Sequence, residues 1–256
     1  MNSSSVQSIR SKKVPTLYET DESKYAGPNK LQVQWWARLV RRAFRFHGYT
    51  RWLNQACSDL HVSGLENLDG LEGPCIFIAN HQSHIDTLVV DAAIPDSIRR
   101  RLFFGAAQDR WFIKGKKKMS LKPWYQSLVM GNFPILRGGG KRALSYASWL
   151  LERGEHVFLF PEGTRAMAGD LGEFKHGATL LAQQLGVPIV PIYLSGLKSI
   201  RPKGAREVVR GEAGIHFLKP CRLPADLETA EATAFVRDRV LAVHRQFEGE
   251  DLAAAA

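Results

Sequence analysis

Apolar side chains follow two rhythms along this chain. Short unbroken apolar runs recur at 75–79, 102–104, 133–136, 157–160 and 189–193, and runs of this length bounded by polar or turn residues predict buried strands. Between them, helical spacing marks 87–93, 121–130, 142–152 and 177–185. A late strand at 215–218 and a helix at 227–247 complete the pattern. Strands alternating with helices predict an α/β fold, a mixed, largely parallel sheet flanked by helices. The stretch 176–197 contains no formally charged side chain, but Gln183, Gln184, Gly186, Pro188 and Pro191 interrupt it. It reads as a buried helix, a turn and a buried strand rather than a membrane span.

Upstream of residue 60 the pattern is different. At about 100° per residue, Trp36, Leu39, Val40, Ala43 and Phe44 share one side of a helix, Arg38, Arg41, Arg42 and Arg45 share the other, and Trp35 sits at the boundary. A second stripe, Trp52, Leu53, Ala56, Cys57 and Leu60, predicts an amphipathic helical hairpin over 31–60 that turns at His47 and Gly48. An arginine face bordered by tryptophans suits a lipid headgroup layer, which makes Trp35, Trp36, Arg38, Arg41, Arg42 and Arg45 candidate membrane contacts. The same stripe also suits a helix packed on its own core. The expected organisation is a mobile polar N-terminus over 1–30, a membrane-docking hairpin over 31–60, one domain over 61–250 and an Ala-rich tail over 251–256, with no internal repeat.

Composition narrows the class. With 256 residues, 45% of them hydrophobic and 23% charged, the chain is neither mostly disordered nor a polytopic membrane protein. An excess of 35 Lys+Arg over 25 Asp+Glu gives a net charge of +10 and predicts an anionic partner: nucleic acid, an acidic membrane or a phosphorylated substrate. The charge is concentrated. Residues 28–58 contain six basic and no acidic side chains, residues 99–122 nine basic and one acidic, and the remainder of the chain is slightly acidic. Cys57, Cys75 and Cys221 form neither a disulfide framework nor a CxxC motif, which favours a reducing, cytosolic compartment. The first twenty residues lack the apolar stretch of a secretory signal.

The strand at 75–79 runs directly into Asn80, His81, Gln82, Ser83, His84, Ile85 and Asp86. Strand ends of an open α/β sheet display reactive side chains. His81 and Asp86 are too far apart in sequence to share a regular helix face, but a turn followed by a helix start would bring the carboxylate to the imidazole. An acid on one ring nitrogen leaves the other to accept a proton. The chain has no Gly-x-Ser-x-Gly elbow, HExxH or P-loop; Ser83 is a nucleophile in principle, but the simpler scheme has His81 activate a substrate hydroxyl directly. A pair of structural histidines at a strand end is the bland alternative.

Further junctions are basic and glycine-rich. Arg137 precedes three glycines and Lys141; Phe160, Pro161, Glu162, Gly163, Thr164 and Arg165 close the next strand; Lys175 follows. Glycines open backbone N–H groups to a phosphate and arginines pair with its oxygens. A dinucleotide site competes with this reading, because Gly138, Gly140 and Ala143 fit G-x-G-x-x-A and Glu162 follows the next strand. A non-catalytic lipid-binding module is a further alternative.

In this order the junctions resemble the lysophospholipid and glycerophosphate acyltransferase family. Asn80 to Asp86 is similar to its Asn-His-x-Ser-x-x-Asp motif, 131–137 to its second motif with Pro134 in place of a common Phe, 160–165 to its third with Ala166 after it in place of Ser, and 187–192 to its fourth. Within the family the likeness is to 1-acylglycerol-3-phosphate acyltransferases. The resemblance implies His81 as general base oriented by Asp86, and Arg137, Glu162, Gly163, Thr164 and Arg165 as acceptor-binding positions, joined by Lys175 on the phosphate. It implies an acyl-CoA or acyl-carrier-protein donor, a lysophosphatidic acid, glycerol-3-phosphate or other lysolipid acceptor, and no cofactor or metal. It favours an anionic membrane surface over nucleic acid as partner, with the chain held peripherally on the cytoplasmic face.

Overall fold

Among the described residues, seven strands form one sheet in the order β1-β7-β6-β2-β5-β3-β4. They are β1 (Cys57–Ser63), β2 (Ile76–Ala79), β3 (Leu102–Ala107), β4 (Asn132–Ile135), β5 (His156–Leu159), β6 (Ile189–Ser195) and β7 (Gly211–Phe217). All neighbouring pairs are parallel except β6 with β7, so the sheet is mixed and largely parallel. The chain is described from a computed structural model over residues 27–112, 122–138, 140–165, 171–202, 205 and 207–254. The expectation of a mobile N-terminus therefore falls, for 1–26, outside the described residues, as do 113–121 of the second basic block and the last two residues of the tail. From Asn29 the chain is held: its N–H donates to the Tyr146 hydroxyl at 2.8 Å.

The continuous apolar runs are strands because both faces of the sheet are covered. On β2, Phe77 and Ala79 join one core while Ile76 and Ile78 join the other, the period-2 alternation of a strand buried on both sides. One layer is built by α1 (Trp35–Phe44), a π segment (Arg45–Tyr49), α2 (Thr50–Ala56), α3 (Asp86–Ala93) and the short α4 (Asp96–Arg99). After α5 (Gln108–Trp111) and α6 (Lys122–Trp124), the other layer is built by α7 (Ser145–Leu151), α8 (Gly177–Leu185) and, beyond α9 (Leu197–Ile200), α10 (Thr229–Ala254).

The N-terminal segment departs from expectation in three ways. First, there is no turn at His47 and Gly48: α1, the π segment and α2 run on through helical backbone. Phe44 explains the continuity, since its ring packs edge-on against both Tyr49 and Trp52, tying the two helices across the π segment. Second, 57–63 is a strand. It lies at the sheet edge with most of its residues exposed, and so carries no apolar run to announce it.

The third departure concerns which face meets the protein. Arg41 and Arg45 are only 2% and 5% exposed and point into the domain, which corrects their assignment as membrane contacts. Arg45 pairs with Asp91 at 3.1 Å and donates to the carbonyls of Arg99, Leu102 and Met130. Arg41 donates to the Gln32 carbonyl and lies over the Phe103 ring, and Arg38 pairs with the buried Glu155. A planar guanidinium with five donors suits this task, satisfying strand-end carbonyls while stacking on aromatic rings. Arg42 stays exposed, with Asp96 3.7 Å away. The apolar side faces outward: Trp35 is 71% exposed, Phe46 70% and Leu39 56%, with Trp36, Val40 and Trp52 beside them. Among the described residues no helix is long and apolar enough to cross a membrane.

Candidate active site

β2 ends at Ala79, and the next residue locks the strand end to its neighbour. The Asn80 side-chain amide donates to the Leu194 carbonyl at 2.9 Å and accepts from the Leu194 N–H at 2.7 Å, imitating one more rung of the β2–β6 ladder. The turn that follows is organised around Asp86 at the start of α3. Its fully buried carboxylate accepts from the Gln82 and Ser83 N–H groups and lies 2.8 Å from His81 Nδ1. The five-residue separation is thus closed by a turn before the first helical residue, the route the sequence requires. Burial pushes the Asp86 carboxyl up from the usual carboxylate range, opposed by its bonds to His81, Ser83 and Gln82.

His81 is fixed from three directions. Its N–H donates to Glu162 at 2.8 Å, its ring stacks on Phe160 with centroids 4.0 Å apart, and its Nδ1 faces Asp86. An ionised carboxylate only accepts, so Nδ1 carries the proton and Nε2 holds the lone pair. The ring is one-fifth exposed. Ser83 donates its hydroxyl to the Arg201 carbonyl, which holds it in the turn rather than beside the His81 imidazole.

The basic residues gather unevenly. Arg165 is almost buried and lies within electrostatic reach of Asp86, Arg110 and Arg201; burial and those two arginines push its guanidinium down. Lys175 Nζ lies where a Cβ on Gly163 would be, 2.7 Å away, and Gly163 has φ +70°, so glycine there admits both the left-handed turn and the lysine. The Thr164 hydroxyl donates to the Arg165 carbonyl. Arg137 instead stands on the exposed rim, paired with Asp109 of α5. Glu162 is tied to the backbone: its two oxygens accept from the His81 and Gly172 N–H groups, making it a buried brace beneath the turn that carries His81.

The sheet order removes the dinucleotide alternative: β4 and β5 are separated by β3, whereas that motif needs its two strands adjacent. Three further residues bear on the site without having been singled out as site residues: Phe160 through its stack, and Arg110 and Arg201 through their charge on Arg165. His84, the second histidine of the sequence cluster, lies beside them; its Nε2 is 3.3 Å from Arg110, and burial together with Arg165, Arg110 and Arg201 lowers its pKa to about 4. Phe160 sat inside a strand run and Arg110 inside a charge block; nothing in the sequence distinguished Arg201. Among the described residues no group of three or more His, Cys, Asp or Glu side chains is placed to hold a metal.

Residues 59–195 match the family described as Acyltransferase, a span that holds both His81 and Arg165 and covers more than half of the chain. The chain belongs to the acyltransferase family. Among its relatives, the chloroplastic 1-acyl-sn-glycerol-3-phosphate acyltransferase of Brassica napus is 33% identical over 165 residues, 62% of this chain and 44% of the relative. The 1-acyl-sn-glycerol-3-phosphate acyltransferase of Pseudomonas aeruginosa is 29% identical over 150 residues, 55% of this chain and 52% of that one. The crystal structure of the 1-acyl-sn-glycerophosphate acyltransferase of Thermotoga maritima superposes with a TM-score of 0.63 at 25% identity, covering 83% of this chain and 79% of that one. The acyltransferase-family chain spans about half the length of the curated relatives it matches.

Proposed function

We propose that this chain transfers a fatty acyl group from acyl-CoA or acyl-carrier protein to the free hydroxyl of lysophosphatidic acid, giving phosphatidic acid. The observation that carries the proposal is the His81 Nδ1 to Asp86 Oδ2 contact of 2.8 Å beside a cluster of arginines. His81 Nε2 takes the hydroxyl proton as the oxygen attacks the thioester carbonyl. The tetrahedral intermediate collapses, breaking the carbon–sulfur bond, and the departing thiolate receives the proton from the imidazolium. Asp86 holds the tautomer and stabilises the imidazolium; Arg165 and Lys175, with Arg137 on the rim, take the acceptor phosphate. The relatives, named as 1-acyl-sn-glycerol-3-phosphate acyltransferases, support this acceptor class.

The outward apolar face of α1 supports docking on a membrane surface, with Trp35, Trp36, Leu39 and Phe46 in the headgroup boundary and Arg42, with Arg38 at its edge, beside it. We place the chain as a peripheral protein on the cytoplasmic face. The test of the chemistry is His81→Ala assayed with labelled acyl-CoA and lysophosphatidic acid. Loss of transfer with an unchanged fold is expected; full activity would remove His81 from the mechanism. Arg165→Ala is expected to raise the acceptor KM, and an unchanged KM would detach it from the phosphate.

A further inference from the structure

Beneath the N-terminal helix lies a cavity of about 290 Å³, near the lower bound of small-molecule sites. Six arginines and two aspartates line it, among them Arg41, Arg42, Arg45, Arg99 and Arg100. Arg42, Arg99 and Arg100 share one carboxylate, that of Asp96, at 3.7, 3.3 and 3.6 Å. Arg45 has Asp91. Positive charge therefore exceeds negative by several units within one concavity. Two of the lining arginines are also unfinished: Arg41 Nη2 and Arg45 Nε are buried and have no hydrogen-bond partner, and both side chains are more than nine-tenths buried. Buried donors without partners are rare.

This cavity is separate from the His81 site. β2, β5 and β3 run parallel; His81 follows the end of β2, while Arg45 donates to carbonyls at the start of β3 and just before β4. The two sites thus lie at opposite ends of the strands. What adjoins the cavity is the outward apolar face, since Phe46, 70% exposed, is part of its lining.

We propose that the cavity is a second phosphate site, which takes the phosphomonoester headgroup of an acidic lipid while Phe46 and Leu39 sit in the bilayer. A phosphomonoester carries nearly two negative charges and three terminal oxygens, so it answers several guanidinium forks at once, where a diester offers two oxygens and one charge. The proposal rests on the membrane-docking reading.

The experiment is co-sedimentation of the full chain with phosphatidylcholine vesicles, alone or with phosphatidic acid or phosphatidylglycerol added to equal surface potential. Wild type is expected to bind the phosphatidic acid vesicles at least about tenfold more tightly than the phosphatidylglycerol ones. Arg42→Gln/Arg99→Gln/Arg100→Gln, folded by circular dichroism, is expected to lose that preference while still binding neutral vesicles. Leu39→Gln/Phe46→Gln is expected to weaken binding to every vesicle. Equal binding of both acidic vesicles by wild type, or a preference that survives the triple substitution, overturns the site and leaves docking standing. No wild-type binding to any vesicle overturns docking and the lipid site together. A thermal shift by soluble glycerol 3-phosphate that the triple variant loses, without any vesicle preference, reassigns the cavity to free phosphate esters.

Discussion

Arg45 of the π segment and Asp91 of α3 form a 3.1 Å ion pair between side chains that are both almost completely buried. α3 is also the helix whose first residue is Asp86, so the pair ties the N-terminal helix to the element that carries the proposed catalytic acid. Removing one partner leaves a buried charge alone, which costs about 3–5 kcal/mol. Arg45→Ala is expected to lose that much in denaturant unfolding, whereas Arg45→Met with Asp91→Leu loses less. Equal losses in the two variants would show that packing rather than charge pairing matters here.

Gly131 is expected to resist any side chain. It has φ +70°, and a Cβ there would come within 2.6 Å of Arg45 Nη2 and 2.8 Å of Arg41 Cδ. Gly131→Ala therefore combines a left-handed backbone with displacement of both buried arginines, a loss of about 1–3 kcal/mol. Thermal unfolding measures it; an unchanged midpoint would mean that the arginines move aside freely.

For Asp86→Asn, the amide cannot accept from Gln82, Ser83 and His81 in the same way. The expected result is a fall in kcat of roughly 10²–10⁴ with little change in acceptor KM. A rise in KM alone would assign Asp86 to binding.

Glu162 separates bracing from substrate contact. Since it holds the His81 and Gly172 N–H groups, Glu162→Gln is expected to lower kcat at constant acceptor KM. A glycerol contact would instead raise KM, and steady-state kinetics with varied acceptor distinguishes the two.

His156 gives a pH dependence. Burial, with Arg101 second, lowers its pKa from 6.5 to about 4, and the ring sits 3.1 Å from the Cys75 sulfur. The unfolded chain takes up the proton near 6.5 and the folded chain does not until about 4, so the contribution is complete above 6.5 and lost as pH falls through that window. The expected decline is up to about 3 kcal/mol. Melting curves of wild type and His156→Gln between pH 7 and 4 should differ in slope, with the variant flatter; parallel slopes would place the titration elsewhere.

Strands such as β2 and β6 were legible because burial on both faces leaves an uninterrupted apolar run. β1 was not, because an edge strand with one half-wetted face resembles the tail of an amphipathic helix. His81 and Asp86 were legible as a pair because the turn between them is short enough to imply its own closure. The orientation of α1 was not: a helical wheel separates arginines from tryptophans but does not say which side meets the protein, and that depended on the Asp91 carboxylate and on strand-end carbonyls far along the chain. The bracing contacts of Glu162 were not legible, since its partners are backbone N–H groups that no side-chain motif displays.

β1 has a single neighbour in the sheet, β7, with Ser63 opposite His216 at a separation of 153 residues. During synthesis at about 5–20 residues per second, the N-terminal helix and its strand leave the ribosome long before the strand that completes their docking exists. Closing so long a loop is an entropic expense deferred to the end of folding. For that interval the β1 edge is unpaired beside a Trp35 to Trp52 face that stays outward even in the folded domain, so a bilayer or a chaperone reaches this segment before β7 does.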